Sequence, residues 1–223
     1  MGRYLNENKF TDAEIASVYK AIRERRDMRH FVSTPLEDGQ LMRFIQAAHM
    51  APSVGLMQPW RFLRVTDAAL RAALQEHVES ERIATAEALG QRSDEFMRLK
   101  VEGIHACAEV LVVGLIDHRE KYIFGRRTMP EMDLASATCA IQNMWLAARA
   151  EGIGMGWVSL FDPERVRELC QMPAGSQPIA ILCLGQVPAF YEAPMLELEA
   201  WDKRKAVSEV CFENVWGKEE SPD

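Results

Sequence analysis

The sequence lacks paired cysteines and clustered metal ligands. It has five cysteines and five histidines in 223 residues, and no C-x-x-C motif. An odd number of widely spaced cysteines, mostly in apolar segments, indicates buried thiols in a reducing compartment rather than a disulfide framework. The histidines and cysteines show no zinc-ligand spacing, so we expect no metal. The cysteines are Cys107, Cys139, Cys170, Cys183 and Cys211.

The sequence also lacks a basic excess, a long apolar run and a targeting segment. Its 26 basic residues stand against 33 acidic ones, a net charge of −7, and no basic stripe interleaved with aromatics occurs. This balance argues against nucleic-acid binding. No apolar run is long enough to cross a membrane, and residues 1–9 are too polar for a signal peptide. We expect a cytoplasmic protein without nucleic-acid or membrane partners.

Apolar side chains, in contrast, make up 48% of the chain, enough for a large core. Periodicity and capping signals predict helices over about 12–25, 36–50, 67–103 and 132–149, with a Thr11/Glu14 capping box at the first and a further short helix capped by Asp162. Strands are predicted at 61–65, 110–116, 154–160 and 179–184, of which 110–116 and 179–184 are expected to be buried. The irregular alternation and the helical N-terminal part predict a single α+β domain over 1–223. We expect three layers, with a central mixed sheet flanked by helices, and not a doubly wound dinucleotide fold.

Three segments predict more than core packing. The helical stretch at about 70–100 has a thin apolar face, which is typical of a lid. The helix at 132–149 is apolar almost all round, which indicates a subunit interface as well as a core. The aromatic but weakly periodic residues 190–223 predict an extension that packs on a partner subunit.

The densest charge cluster lies at residues 25–29, where Arg25, Arg26 and Arg29 surround Asp27. Cations at a helix C-terminus complement the helix dipole, and this explains one or two of the arginines. Three guanidiniums in five residues equally suit the oxygens of a phosphate. Asp27 is either an ion-pair partner within the cluster or a catalytic carboxylate, and the cluster alone leaves both interpretations open.

A G-x-G-x-G pattern at 152–156 lies after a helix and before a strand, the reverse of the dinucleotide fingerprint. We interpret Gly156 and its neighbours as backbone that approaches a flat ligand closely. Ser159 at the far end of this strand has no His/Asp partner in the sequence pattern, so it is a hydrogen-bond donor rather than a nucleophile. Ser53, in a loop braced by two prolines, either caps a turn or contacts a ligand.

Read together, these motifs resemble the nitroreductase-like flavoprotein superfamily over nearly the whole chain. The shared order is R-R-x-x-R after the first helix, A-P-S-x-x-x-x-Q-P-W (51–60) after the second, the G-x-G-x-G-W strand, and basic residues at 203–205. The resemblance implies an intertwined homodimer with FMN at the subunit interface.

One branch, the 5,6-dimethylbenzimidazole synthases, is more similar. The motifs that carry this likeness are R-R-D-x-R (25–29), A-P-S-V-G-x-M-Q-P-W (51–60), L-K-x-E-G-I (99–104), P-x-M-D-L (130–134), Q-N-x-W-L-A-A-R-A-E-G (142–152) and G-W-V-S (156–159). Ordinary nitroreductases usually carry Asn where Leu56 stands and lack the R-R-D combination. The branch implies that reduced FMN is the substrate, and that with O2 it is fragmented to 5,6-dimethylbenzimidazole, the lower ligand of vitamin B12, and erythrose 4-phosphate.

The same resemblance implies roles for particular residues. Asp27 and Ser159 match the catalytic pair, and a separate flavin reductase is the implied source of electrons. The alternatives are an NAD(P)H-dependent FMN reductase of nitro compounds, quinones or halogenated aromatics, and a non-catalytic flavin-binding protein. The implied cofactor-binding residues are Arg25, Arg26, Asp27, Met28, Arg29, Ser53, Leu99, Gly156, Ser159 and Arg204.

Overall fold

The computed structural model describes residues 8–217, so the expectation for the extreme N-terminus and the last six residues of the predicted extension lie outside the described part. The helices are α1 (Asp12–Glu24), α2 (Gln40–His49), α3 (Ala68–Leu89), α4 (Ser93–Arg98), α5 (Met132–Ala150), α6 (Pro163–Leu169) and α7 (Met195–Leu198). The strands are β1 (Trp60–Arg64), β2 (Glu109–Leu115), β3 (Gly154–Val158) and β4 (Gln177–Gly185).

The four strands form one sheet in the order β1-β2-β4-β3, with every neighbouring pair antiparallel. A parallel bridge joins Asp27 to Met155 outside the named strands, which gives the sheet its mixed character. The predicted α+β fold with a central sheet is therefore confirmed. Through this bridge, the segment that follows α1 lies directly beside the edge strand β3.

Alternation along β2 separates two cores. Leu111, Val113 and Leu115 belong to the cluster that packs under α2 and α5, whereas Val110 and Val112 belong to the cluster that packs under α3 and α6. Successive side chains of a strand point to opposite faces, so one strand serves both cores. The result is the expected three-layer arrangement of helices, sheet and helices.

The helix ends follow the local sequence signals. Thr11 and Glu14 form the capping box of α1, with Thr11 N donating to Glu14 Oε2 at 2.8 Å. Asp162 caps α6, whose first residue is a proline. Helix α2 begins at Gln40 rather than at residue 36, because Gly39 adopts a left-handed conformation (φ +76°) that breaks the helix before it.

The predicted 67–103 helix is divided into α3, a 3₁₀ turn and α4, and residues 99–103 are not helical. The side chains of Leu74 and Val78 are fully buried in the core, which ties the first half of α3 to the sheet. Helix α4 instead contributes to a small separate cluster with Leu99 and Trp201. Within residues 8–217, no helix combines the length and apolarity that crossing a bilayer requires.

Candidate active site

The segment that carries Asp27 is fixed by backbone contacts with β3. The α1 helix ends because Arg25 adopts an extended conformation, and the chain then runs beside the strand. Met28 N donates to Met155 O at 2.9 Å, and the Met28 side chain is fully buried. On the other side of the segment, Trp145 Nε1 donates to Arg26 O at 3.0 Å. These contacts position Asp27 at the edge of the sheet.

Gly156 permits this close approach. A Cβ added there would overlap the carbonyl oxygen of Met28 and approach the Arg29 guanidinium. The interpretation that backbone at Gly156 approaches a flat ligand stays a prediction, and the structure adds a second reason for the glycine. What lies against Gly156 is the chain's own 27–29 segment, and the missing side chain is what lets Asp27 reach its place.

Asp27 is held by two contacts. Its Oδ2 lies 2.6 Å from Arg29 Nη2, and its Oδ1 accepts a hydrogen bond from Trp157 N at 3.0 Å. The side chain is 42% exposed and lines an adjacent pocket. Burial of the carboxylate raises the pKa of Asp27. Arg29, the Trp157 N–H and Arg25 lower it, but the effect of burial is larger and the pKa stays above its ordinary value. This balance suits a carboxylate that exchanges a proton.

The pocket beside Asp27 has a volume of about 240 Å³ and also contains Ser159 and Leu99. Ser159 follows the last residue of β3, so the strand delivers its exposed hydroxyl to the same cavity as the carboxylate. The lining is Asp27, Arg29, Phe96, Leu99, Lys100, Val101, Trp157, Val158, Ser159, Leu160, Met195, Leu196 and Trp201. Two polar catalytic candidates thus share a largely apolar, aromatic cavity.

Two of the clustered arginines are engaged by the protein itself. The Arg26 guanidinium donates to the carbonyl oxygens of Arg23 at 2.7 Å and Glu192 at 2.9 Å. Buried Arg29 donates through Nη2 to Asp27 and to Trp157 O, the latter at 2.7 Å. Arg29 Nη1 is buried and has no hydrogen-bond partner among the described residues. This nitrogen lies inside the protein, 3.3 Å from where a Cβ on Gly156 would stand.

Arg25 and Arg204 differ from that pair. The Arg25 guanidinium lies over the Trp145 ring, 4.6 Å from its centroid. Burial lowers the pKa of Arg25; Asp27 opposes this, and the charge of Arg204 adds to it. The two arginines are thus near enough to repel each other, an arrangement that an anion between them would relieve.

Ser53 does not lie among the lining residues of this pocket. Its Oγ accepts a hydrogen bond from Gln58 N at 3.0 Å, and the next residue, Val54, donates its N–H to Ser136 Oγ at 3.0 Å. The predicted turn-stabilising geometry is present. A role of Ser53 in ligand binding stays a prediction. Because Ser53 is not part of this pocket, its ligand would have to be held by another molecule, such as a second copy of the chain.

Sequence reasoning missed several residues around the pocket. Lys100 adjoins Leu99 in the L-K-x-E-G-I motif, so the motif itself was the available signal. Tyr191 accepts a hydrogen bond through its OH from Arg29 N at 3.1 Å and contacts His30 Nδ1 at 2.7 Å. Trp201 is far from the motifs in sequence, and only the tertiary structure brings it to the site. No cluster of three potential metal-ligating side chains occurs within residues 8–217.

The fold and pocket define a three-layer α+β protein with a carboxylate and a hydroxyl at one sheet edge. This architecture matches that of an iodotyrosine deiodinase bound to FMN and 3-iodo-L-tyrosine, with a TM-score of 0.69 at 20% identity over 89% of this chain and 100% of that one. The Nitroreductase family matches residues 22–186, and the chain belongs to that family.

Two relatives are much more similar in sequence. The 5,6-dimethylbenzimidazole synthase of Rhodospirillum rubrum is 38% identical over 183 residues, which cover 81% of this chain and 87% of the relative. The protein of the same name from Rhodobacter capsulatus is 36% identical over 189 residues, covering 82% and 90%. The resemblance read from the motifs is confirmed, and the named relatives are enzymes.

Proposed function

We propose that this protein is a 5,6-dimethylbenzimidazole synthase that binds reduced FMN as its substrate and uses O2. The observation that carries the proposal is the shared pocket of Asp27 and Ser159, in a chain 38% identical to a synthase over most of its length. Reduced FMN supplies the electrons for O2 and the carbon atoms of 5,6-dimethylbenzimidazole and erythrose 4-phosphate. A separate flavin reductase would supply the reduced flavin.

The residues present fit a flavin. Phe96, Trp157 and Trp201 give the cavity flat apolar walls, as an isoalloxazine ring requires. The Arg29 side chain lines the pocket beside Asp27. Lys100 adds a cation within the lining. The polar, electron-rich edge of the flavin ring would complement the positive charges of Arg29 and Lys100.

The side chains that line the pocket would have separate roles in the reaction. Asp27 would accept a proton from the substrate beside the ring, because its raised pKa makes it a stronger base than an ordinary carboxylate. Arg29 holds the carboxylate in one orientation through the 2.6 Å ion pair. Ser159 would donate its hydroxyl hydrogen to the bound substrate. Phe96 and Leu99 would exclude water from the reacting atoms.

The phosphate end would be held outside this cavity. Arg25 and Arg204 are the two mutually repelling cations beside it, and a phosphate between them would be bound by charge-assisted hydrogen bonds. Arg26 and Arg29 would act mainly by shaping the backbone, since their guanidiniums already bind protein groups.

The second half of the site would come from another copy of the chain. The Ser53 loop exposes Leu56 (79%) and packs against a segment that exposes Phe124 (83%). Such an apolar surface on a loop is typical of an interaction site. We therefore include a homodimer, with Ser53 of each copy completing its partner's flavin site, in the proposal.

The decisive experiment supplies photoreduced FMN and then O2 to the protein, with chromatography and mass spectrometry of the products. We expect 5,6-dimethylbenzimidazole in amounts that follow the FMN consumed. Formation of only reoxidised FMN and hydrogen peroxide would contradict the synthase. Efficient NADPH oxidation coupled to an added nitro compound, quinone or halogenated aromatic would support the reductase alternative, and repeated reduction and aeration with FMN intact would support a flavin-binding protein.

A further inference from the structure

Two chain segments that are distant in sequence meet at the pocket. One is α4 with the residue that follows it, which contributes Phe96 and Leu99. The other is the segment after the sheet, from Met195 to Trp201, which contributes its first residues and the Trp201 indole. Phe96, Leu99 and Trp201 belong to one small cluster, separate from the two main cores. The wall of the pocket is therefore built jointly by the lid-like helix and the C-terminal segment.

Arg92 fastens Trp201 in place by two contacts. The guanidinium carbon lies 3.6 Å from the centroid of the indole ring, and Nη2 donates to Trp201 O at 3.1 Å. Glu95 orients the same guanidinium, accepting from Nε at 2.9 Å and from Nη2 at 3.1 Å. The Phe96 ring lies 6.1 Å from the indole at a tilt of 57°. A cation and an aromatic ring thus fix both the position and the plane of the indole.

The base of this wall is also restrained. The Arg82 guanidinium on α3 donates to the carbonyl oxygens of Met97 and Leu99, where α4 ends. The Glu79 carboxylate lies 3.3 Å from the same guanidinium. Helix α4, which carries Phe96 and directly follows Arg92, is therefore anchored to α3 at its C-terminal end, so Trp201 rests on a supported surface rather than on a free loop.

An indole held in a fixed plane suits ligands with a flat ring. Arg92 covers one face of the ring, and the indole lines the cavity that contains Asp27 and Ser159. An aromatic face held in a fixed plane binds a flat ring without the entropy cost of ordering a side chain.

We propose that Trp201 is the wall against which the flavin ring stacks, and that Arg92 is the positioning residue that sets the plane of the indole. This inference rests on the proposed flavin site and adds to it a binding residue from the C-terminal segment. It gives that segment a role within its own chain, in addition to any contact with a partner subunit.

The test measures binding of oxidised FMN to the full-length protein, without turnover. We expect Trp201→Ala to raise the Kd for FMN about tenfold, the scale of base stacking on an aromatic side chain, and Trp201→Phe to retain most of the affinity. Arg92→Ala should raise the Kd about threefold, as loss of an exposed cation–π contact predicts. The visible absorption spectrum of bound FMN should lose its stacking perturbation in Trp201→Ala.

Arg165→Ala is the matched control, because Arg165 forms the same exposed i,i+3 pair with Glu168 that Arg92 forms with Glu95, but on α6. It should leave both Kd and spectrum unchanged. Thermal unfolding of each variant separates loss of folding from loss of binding. Unchanged affinity and spectrum in a folded Trp201→Ala would overturn the proposal. If wild-type protein binds no FMN, the proposed function itself fails, which is a different result.

Discussion

The Asp27 segment and the Ser53 loop contrast in how far the chain itself completes them. Around Asp27, the backbone is tied to β3, the neighbouring Met28 is fully buried, and the carboxylate has both an ion-pair partner and a backbone donor. The Ser53 loop is also ordered by hydrogen bonds, but it presents Leu56 to solvent with a positive φ of 52°.

This difference indicates two kinds of preorganisation. The Asp27 segment is held at the wall of a pocket by contacts within its own chain, so its geometry does not depend on another molecule. The Ser53 loop carries local strain and an apolar tip, features that persist at surfaces where a partner or ligand covers them. We therefore assign chemistry to the first region and assembly to the second.

Removing the carboxylate is the strongest test of this division. Asp27→Asn preserves an acceptor for the Trp157 N–H but removes the base, so we expect product formation to fall roughly 10²–10⁴-fold while FMN binding is retained. Product assay and equilibrium FMN titration measure the two effects. Asp67→Asn is the control, since Asp67 only caps α3 and asparagine caps equally well. Product from Asp27→Asn at the wild-type rate would remove Asp27 from the mechanism.

A substitution that displaces the backbone supporting Asp27 should have the next largest effect. In Gly156→Ala the new Cβ overlaps Met28 O, so the 27–29 segment must shift. We expect the free energy of unfolding to fall by about 1–3 kcal/mol, as for overpacked cores, together with a loss of activity. Denaturant unfolding at a fixed protein concentration measures the first. Gly39→Ala, which has open space and strain only from its positive φ, should cost about 1 kcal/mol and leave activity intact.

The sequence predicted the parts of the molecule that depend on local rules. The capping box at Thr11, the N-cap at Asp162 and the buried strands follow from residue type and spacing alone. The contact between Gly156 and Met28 joins residues more than a hundred positions apart, so no local pattern could predict it. Trp201 and Tyr191 were missed for the same reason, because they reach the site only through the fold.

The arginine cluster shows the same limit at the level of single side chains. Its composition predicted an anion site, but composition does not determine the direction of each guanidinium. Arg26 turns to backbone carbonyls and Arg29 to Asp27, whereas Arg25 stacks on Trp145. Since the three residues share one sequence pattern, only their packing partners distinguish a structural role from a binding role.

An acidic substitution in the Ser53 loop should weaken self-association of the chain rather than its folding. Aspartate tolerates a positive φ better than leucine, so Leu56→Asp should change the stability of the isolated chain by less than about 0.5 kcal/mol. It should nevertheless weaken self-association, because it places a charge on the proposed apolar contact. Sedimentation velocity over a concentration series measures this. Ile83→Asp, an exposed apolar position on α3, is the control, and equal dimer affinity in wild type and Leu56→Asp would contradict the assignment.

The smallest expected effect concerns the charge balance at Asp27. Arg25 lowers the pKa of Asp27, so Arg25→Gln should raise that pKa further above its ordinary value. A base acts only when deprotonated, and the acid limb of the kcat profile should therefore move to higher pH in this variant. Measurement at saturating reduced FMN separates this shift from weaker phosphate binding, which changes KM. Arg23→Gln, which changes an exposed arginine in the last turn of α1 that is not among the groups that shift Asp27, should leave the limb in place. A shift to lower pH in Arg25→Gln would mean that the limb reports another group, because loss of a positive neighbour cannot make a carboxyl more acidic.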